Sequence, residues 1–253
     1  MNLVLIKYIL KAAIRDRLIL SMLIMMMVFA ALSIMMGSAA IIEMDFFSAV
    51  YISGSLRIIS VLGLVLFISF YVRRLFESKE IEFILSKPVS RLSFVISHAA
   101  AFSILSLIIT IIVAVVIGVF EFNKINENHF FWVFSLFIEL IIIANAALFF
   151  SMVLNSASSS VMAAVAFYVL SRMIGQLLSI IYSAQTFAGS EFLGFIMQMI
   201  SMIIPRLDLM SQTTWLTYGV PEDISFLFIF AHGLLFSALL ISASMVDLIR
   251  RKF

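Results

Sequence analysis

The chain of 253 residues has no cysteine and few charged residues. The absence of cysteine excludes disulfides, thiolate nucleophiles and cysteine-based metal or haem sites. Charged residues make up 12% of the sequence and hydrophobic residues 64%, whereas a soluble domain is about 25% charged and about 45–50% apolar. Because no polar stretch is long enough to form a soluble domain, and the mean hydropathy is +1.22, the composition predicts an integral membrane protein.

The sequence motifs of several enzyme classes are also missing. The chain has no GxxxxGK[ST] segment, so it has no phosphate-binding loop of the kind that supports ATP hydrolysis. It also lacks HExxH and GxSxG, and its three histidines, His98, His129 and His232, are far apart in sequence. The net charge of +2 gives no indication of a nucleic-acid partner. We therefore expect no catalytic residue, no metal and no cofactor in this chain.

Hydrophobic runs of membrane-spanning length dominate the sequence. A helix needs about 20 apolar residues to cross a bilayer. Six segments meet this criterion, at 18–42, 51–72, 92–120, 130–154, 160–184 and 225–247. The first is longer than the apolar region of a signal peptide, which favours a membrane anchor over a cleaved signal. We predict an all-α integral membrane protein with one transmembrane domain over residues 1–253.

The basic residues predict the orientation of these spans. Twelve of the 16 Lys and Arg residues lie before the first span, between the second and third, or after the sixth, namely Lys7, Lys11, Arg15, Arg17, Arg73, Arg74, Lys79, Lys87, Arg91, Arg250, Arg251 and Lys252. Six crossings place these twelve on one side, which the positive-inside rule assigns to the cytoplasm. The opposite side holds Lys124 and Arg206 among eight acidic residues. We therefore expect both termini to be cytoplasmic.

Two further segments are predicted to lie at the membrane surface. In residues 1–17, basic residues recur every four positions beside an apolar stripe, which is typical of an interfacial helix. The alternative is that this segment begins the first span early. Residues 185–224 contain an apolar run that is too short to span and ends at Pro205. This pattern favours a short outer-leaflet or re-entrant helical element before the last span.

Charged residues within the predicted spans indicate a site or a structural pair, because a charge at membrane depth is costly. Glu139 in the fourth span and Arg172 in the fifth lie at similar predicted depths on consecutive helices. We predict an ion pair between them, with Gln176 one turn from Arg172. The pair either fixes helix packing or lines a polar path between protomers. Arg57 lies near the outer end of the second span, where its side chain can reach the interface, and is given no role.

The segment 73–91, RRLFESKEIEFILSKPVSR, is densely charged and yet half apolar, and it separates the second span from the third. Ile81, Ile84 and Leu85 share one helical face. A short helix with apolar side chains among acidic ones suits docking in a groove on a partner protein. The alternative, a helix that only floats on lipid headgroups, is disfavoured because anionic lipids repel its acidic residues.

The run Glu77-Ser-Lys-Glu-Ile-Glu-Phe-Ile-Leu-Ser-Lys-Pro-Val-Ser-Arg91 resembles the first cytoplasmic loop of ABC-2 type transporter permeases. The run Pro205-Arg-Leu-Asp208, followed by Trp215-Leu-Thr-Tyr-Gly219, resembles the outer segment of bacterial members. The resemblance implies that residues 73–91 form a coupling helix, which inserts into a cleft on a separate ATP-binding subunit. It implies contacts to that subunit for Glu77, Glu80, Ile81, Glu82, Ile84, Leu85, Lys87, Pro88 and Arg91.

The resemblance also implies partners and an activity. The chain would pair with a second permease protomer, identical or not, and with ATPase subunits that hold ATP and magnesium. Together they would export an unidentified substrate across the cytoplasmic (inner) membrane of a bacterium. The alternatives are an ATP-independent transporter or channel, an intramembrane enzyme and a membrane scaffold. An ATP-independent transporter predicts more ionisable groups inside the spans, or inverted repeats with broken helices.

Overall fold

The computed structural model describes residues 3–39, 44–81, 90–120, 126–183, 195, 199, 203–221 and 224–250. Within these ranges the chain is helical and forms no strand, as the hydrophobic runs predict. The helices are α1 (Leu3–Arg15), α2 (Leu18–Ala39), α3 (Met44–Glu77), α4 (Arg91–Phe120), α5 (Glu127–Val153), α6 (Ala157–Ser183), α7 (Trp215–Tyr218) and α8 (Phe226–Arg250). A 3-10 turn, Leu207–Leu209, precedes α7.

Five of these helices, α3, α4, α5, α6 and α8, are long and apolar enough to cross a membrane. The helices α1 and α2 together would supply a sixth span, but they are bent by 50° relative to each other. The molecule therefore fits a multi-pass membrane protein with five or six crossings. The predicted span 18–42 corresponds to α2, which ends at Ala39.

The break between α1 and α2 is a tight turn at Asp16 and Arg17. Arg17 has a φ of 54°, a backbone conformation that residues other than glycine rarely adopt, so the helix cannot continue through it. The helix α1 buries Ile6, Ile9 and Ala13 and contacts α4. The apolar stripe predicted for residues 1–17 thus packs on the chain itself, while the role of α1 at a membrane surface stays a prediction.

The helix α5 lies at the centre of the bundle. It contacts α3, α4, α6, α7 and α8, and 67% of its most apolar window is buried inside the chain. Small residues such as Ala144 and Ala147 are buried there and let neighbouring helices approach closely. The polar side chains of Ser135, Glu139 and Asn145 lie on this central helix and are also buried.

The helices α6 and α8 lie at the edge of the bundle. Only 22% of the apolar window of α6 and 17% of that of α8 are buried. Their exposed side chains are mostly apolar, for example Val169 and Met173 on α6. Because most of the apolar surface of these two helices is not buried within the chain, lipid or another chain must bury it.

The two ends of the bundle carry different residues. We call the end that holds the α1–α2 turn, the end of α3 at Arg74, the start of α4 at Arg91 and the end of α8 at Arg250 the basic end. The opposite end, where α5 begins at Glu127 and α8 begins at Phe226, is called the far end. Residues 203–221, called the anchored segment below, pack against α3, α5 and α6 in the half of the bundle toward the far end.

Candidate functional site

Glu139 and Arg172, predicted to pair, lie side by side between α5 and α6. Arg172 Nη1 is 3.7 Å from Glu139 Oε2, and the exposed fractions of the two side chains are 18% and 0%. Tyr168, one turn before Arg172, lies within electrostatic range of both charges. The ion pair is thus buried between two helices that are apolar enough to cross a membrane, where each charge requires the other.

Arg172 also holds the anchored segment in place. Its Nη1 donates hydrogen bonds to the carbonyl oxygens of Leu207 and Met210, both at 2.6 Å. Leu207 and Met210 are completely buried. The Leu207 carbonyl also accepts from the Met210 N–H at 3.0 Å, whereas the buried Met210 carbonyl relies on the guanidinium. Arg172 therefore neutralises Glu139, satisfies the Met210 carbonyl and adds a second donor to the Leu207 carbonyl.

Arg57, to which the sequence assigned no role, performs a similar task from α3. Its Nη1 donates to the carbonyl oxygen of Ser211 at 2.6 Å. Within the described part of the chain, Arg57 forms no ion pair and its buried Nε has no hydrogen-bond partner. The one signal in the sequence was a charge inside the predicted span 51–72. The carbonyl that it meets belongs to a residue 154 positions away, which no local pattern reveals.

The anchored segment is held by further side chains. The Ser211 N–H donates to Ser135 Oγ on α5 at 2.9 Å, and Ser211 has a φ of 45°. Arg206 and Asp208 form an ion pair at 2.7 Å, and the Arg206 backbone N–H donates to His232 Nε2 on α8 at 3.0 Å. These contacts fix the anchored segment among four helices, α3, α5, α6 and α8.

This segment belongs to the element predicted over residues 185–224. The structure places a 3-10 turn and the short α7 within it, and Gly219 has a φ of 89° at the turn after α7. The apolar run before Pro205, predicted to be a short helix or hairpin, lies almost wholly outside the described residues. The re-entrant or outer-leaflet role of the whole element therefore stays a prediction.

A polar cavity of about 400 Å³ lies between α3, α6 and the anchored segment. Every residue that lines it is polar except Gly175, where a side chain would collide with the Asp208 carboxylate. Its walls include Arg57, Arg172, Gln176, Ser179, Asp208 and Thr213. Gln176 and Ser179 are exposed, so the cavity opens at the surface of α6. It combines positive charge with several neutral hydrogen-bonding groups.

A larger cavity, of about 500 Å³, lies between α2 and α3 and is mainly apolar. Its walls are mostly Leu, Ile, Met and Phe side chains, and Asp16 and Arg74 lie at its basic end. Its chemistry suits a hydrocarbon chain and provides no group that reacts. The polar groups that could recognise a ligand are therefore concentrated in the smaller cavity.

At the basic end, arginines connect the ends of separate helices. Arg73 Nη2 donates to the carbonyl of Asn155 in the α5–α6 turn at 2.7 Å. Arg74 pairs with Asp16 in the α1–α2 turn at 3.0 Å. Arg91 Nη1 donates to the carbonyl oxygens of Leu248 and Ile249, at 2.8 and 3.0 Å, at the end of α8. The two ends of segment 73–91 thus contact the α1–α2 turn, the α5–α6 turn and the end of α8.

The residues predicted to contact an ATPase are described only in part. Glu82, Ile84, Leu85, Lys87 and Pro88 lie outside the described residues. Glu77 and Glu80 are exposed, whereas Ile81 is only 1% exposed and packs in the core of the chain. Arg91 is used at the end of α8, as described above. The partner contacts stay predictions, but Glu77 and Glu80 are the described acidic groups that a partner could reach.

Among the described residues, no group of three or more histidine, aspartate or glutamate side chains could hold a metal ion. His98 lies among Phe94, Tyr71 and Phe102, and His232 between Phe228 and Phe236. The described polar residues are arranged to bind a ligand in the polar cavity and to connect the ends of separate helices.

No protein-family model matches the chain, and no curated protein matches it. The resemblance in residues 73–91 is therefore a hypothesis that the structure leaves open.

Proposed function

We propose that the chain is the membrane subunit of an ATP-binding cassette exporter of the ABC-2 permease type. It would lie in the cytoplasmic membrane of a bacterium with both termini in the cytoplasm. A separate ATPase subunit would bind ATP and magnesium and dock on residues 73–91. A second permease protomer would complete the translocation path.

The observation that carries this proposal is the set of arginine contacts at the two ends of segment 73–91. Arg73 and Arg74 at its start contact Asn155 and Asp16, and Arg91 at its end contacts Leu248. Because the segment also joins α3 to α4, a push on it would be transmitted to six long helices at once, α2, α3, α4, α5, α6 and α8. Such connections suit a docking element that converts movement of an ATPase into movement of the bundle.

The finer roles of the helices follow from the same proposal. The helices α2, α3, α4, α5, α6 and α8 would be the six spans. The helix α1 would lie in the cytoplasmic interface and the anchored segment would lie in the outer half of the membrane. Tilting of α2, α3 and α6 as rigid bodies would open the interface between protomers, onto which the polar cavity would face.

A transporter that works without an ATPase is the second candidate, and a cluster of charged residues inside the bundle is compatible with it. Arg57, Arg172, Glu139, Arg206 and Asp208 lie together in the half of the bundle toward the far end. Ionisable groups within spans commonly mark the path of a substrate or ion. The cluster fits either energy source, so the search for an ATPase decides between the two candidates.

The test is purification of the tagged full chain from its native host in mild detergent. We expect an ATPase with a GxxxxGK[ST] loop to co-purify in stoichiometric amount. Glu80→Lys should reduce the ATPase recovered at least tenfold, because Glu80 is exposed beside the docking segment and the substitution reverses its charge. Ile84→Asp should enhance this loss.

The matched control is Glu127→Lys, which reverses an exposed glutamate at the far end of the bundle. It should leave the ATPase recovery unchanged. If the combined Glu80→Lys and Ile84→Asp variant folds and retains both the ATPase and transport, the assignment of the docking segment is wrong. If no such ATPase co-purifies while the chain alone moves substrate in vesicles, ATP-independent transport is the better account.

A further inference from the structure

We propose that the polar cavity between α3 and α6 binds the anionic headgroup of an amphiphile, and that Arg57 recognises its negative charge. Binding itself requires no ATPase. The identification of this ligand as the exported substrate rests on the function proposed above.

The balance of charges around the cavity is positive. Arg172 is paired with Glu139 and Arg206 is paired with Asp208. Among the described residues, Arg57 has no carboxylate within the 4 Å of an ion pair, so its charge is uncompensated there. The Asp208 carboxylate also lies in the wall, but Arg206 Nη2 holds it at 2.7 Å. A positive charge between two apolar helices is costly unless it acquires a counter-ion.

Arg57 has donors available for such a counter-ion. Nη1 is used by Ser211, and the buried Nε has no partner within the described ranges. A guanidinium offers five N–H donors in a planar arrangement that fits a carboxylate or a phosphate. One bond to a backbone carbonyl therefore orients the group and leaves most of its donors for a ligand.

The rest of the cavity supplies neutral hydrogen-bonding groups. Thr213 and Thr214 line it from the anchored segment, and Gln176 and Ser179 line it from α6. The volume of about 400 Å³ lies at the lower end of the range for small-molecule sites, about 300–1,000 Å³. That volume accommodates a headgroup but leaves no room for a long acyl chain.

The surface beside the opening suits the apolar part of the ligand. Gln176 at the rim shares one face of α6 with Met173 and Val169, by their three- and four-residue spacing. Both Met173 and Val169 are exposed and apolar. A molecule with its charge at Arg57 could therefore extend an apolar chain along α6, where a free inorganic anion would gain nothing.

The test is native mass spectrometry of the purified full chain in a neutral detergent. The probes are lysophosphatidic acid, the neutral monoacylglycerol with the same acyl chain, and inorganic phosphate. We expect lysophosphatidic acid to bind at least tenfold more tightly than either of the other two. Arg57→Gln should lower that affinity at least tenfold, and Arg57→Lys should retain part of it. Lys11→Gln, which removes an exposed charge from α1, should change nothing.

A second variant keeps the test decisive if Arg57→Gln fails to fold. Gln176 is exposed at the rim, so Gln176→Trp should fold and should block the opening. Unchanged binding of lysophosphatidic acid to a folded Arg57→Gln or Gln176→Trp variant overturns the proposal. Equal affinity for monoacylglycerol or for inorganic phosphate also overturns it, because the ligand is then not an anionic amphiphile. If no ATPase co-purifies but lysophosphatidic acid still binds in an Arg57-dependent way, only the proposed function is refuted. If the ATPase co-purifies but the binding does not depend on Arg57, only this site is refuted.

Discussion

Arginines hold backbone carbonyls both at the basic end of the bundle and at the anchored segment, but the partners of these arginines differ in burial. The carbonyls that Arg172 and Arg57 reach belong to Leu207, Met210 and Ser211, which are completely buried. At the basic end, most partners are exposed, among them Asn155, Ile249 and Asp16.

This difference predicts a difference in energy for the same type of contact. When an arginine is removed at an exposed end, water replaces it and the carbonyl stays satisfied. When it is removed inside the bundle, the carbonyl or carboxylate stays buried without a partner, which costs far more. The basic end can therefore rearrange at little cost, which is compatible with the docking role proposed for it, while the anchored segment is held firmly.

The largest effect is expected for Arg172→Gln. The substitution leaves Glu139 without its counter-ion and the Met210 carbonyl without its donor, while the Leu207 carbonyl keeps only the Met210 N–H. Breaking a buried ion pair from one side typically costs about 3–5 kcal/mol, and we expect a loss of this size in the free energy of unfolding. Reversible unfolding in mixed micelles measures it.

The control separates the two tasks of Arg172. Adding Glu139→Gln removes the unpaired charge and should recover part of the stability, whereas the Met210 carbonyl stays unsatisfied. The exchange Glu139→Arg with Arg172→Glu should recover less than this neutral pair, because a carboxylate cannot donate to a carbonyl. A stability of Arg172→Gln within about 1 kcal/mol of the wild type, the usual value of one net hydrogen bond, would contradict this account.

The next largest effect is expected for Ser135→Ala. The Ser211 N–H loses its acceptor at a site where both serines are completely buried. An unsatisfied buried donor costs about 1–3 kcal/mol, so the free energy of unfolding should fall by this amount. The matched variant is Ser211→Gly, which suits the φ of 45° and should be neutral or slightly stabilising. Equal losses for the two variants would mean that the hydrogen bond is not the relevant interaction.

The sequence predicted the helices better than the site. Long apolar runs predict helices directly, and five of the six predicted spans correspond to helices that are apolar enough to cross a membrane. Glu139 and Arg172 could be paired from the sequence because a charge within an apolar run is conspicuous. The acceptors of Arg57 and Arg172 could not be found, since they are backbone carbonyls and have no signature in the sequence.

The burial of Ile81 shows the same limit. Its spacing with Ile84 and Leu85 predicts a shared apolar face, but periodicity does not say whether that face meets a partner or the chain's own core. In the structure, Ile81 is 1% exposed, within the core. Ile84 and Leu85 lie outside the described residues, so the shared face stays a prediction, and the periodicity does not indicate that the chain's own core covers Ile81.

A smaller effect is expected for Arg91→Ala at the basic end. The carbonyls of Leu248 and Ile249 lose a charged donor at the end of α8, but Ile249 is exposed and water can replace the guanidinium there. We expect the free energy of unfolding to fall by about 1 kcal/mol, the net value of a typical hydrogen bond. Arg91→Lys should retain part of it, because a positive charge at a helix C-terminus stays favourable. A loss as large as that of Arg172→Gln would remove the distinction between the two regions.

The smallest effect is expected for the pair of Arg74 and Asp16, which joins α3 to the α1–α2 turn at 3.0 Å. The Arg74 side chain is 52% exposed, and exposed ion pairs contribute only about 0–1 kcal/mol. A double-mutant cycle with Arg74→Gln and Asp16→Asn should give a coupling energy in this range at low salt. Because about 1 M salt shortens the Debye length to about 3 Å, that coupling should nearly vanish there. The same salt should alter the coupling between Arg172 and Glu139 much less, because the Glu139 side chain is completely buried. Equal sensitivity of the two cycles to salt would show that burial does not separate the two regions.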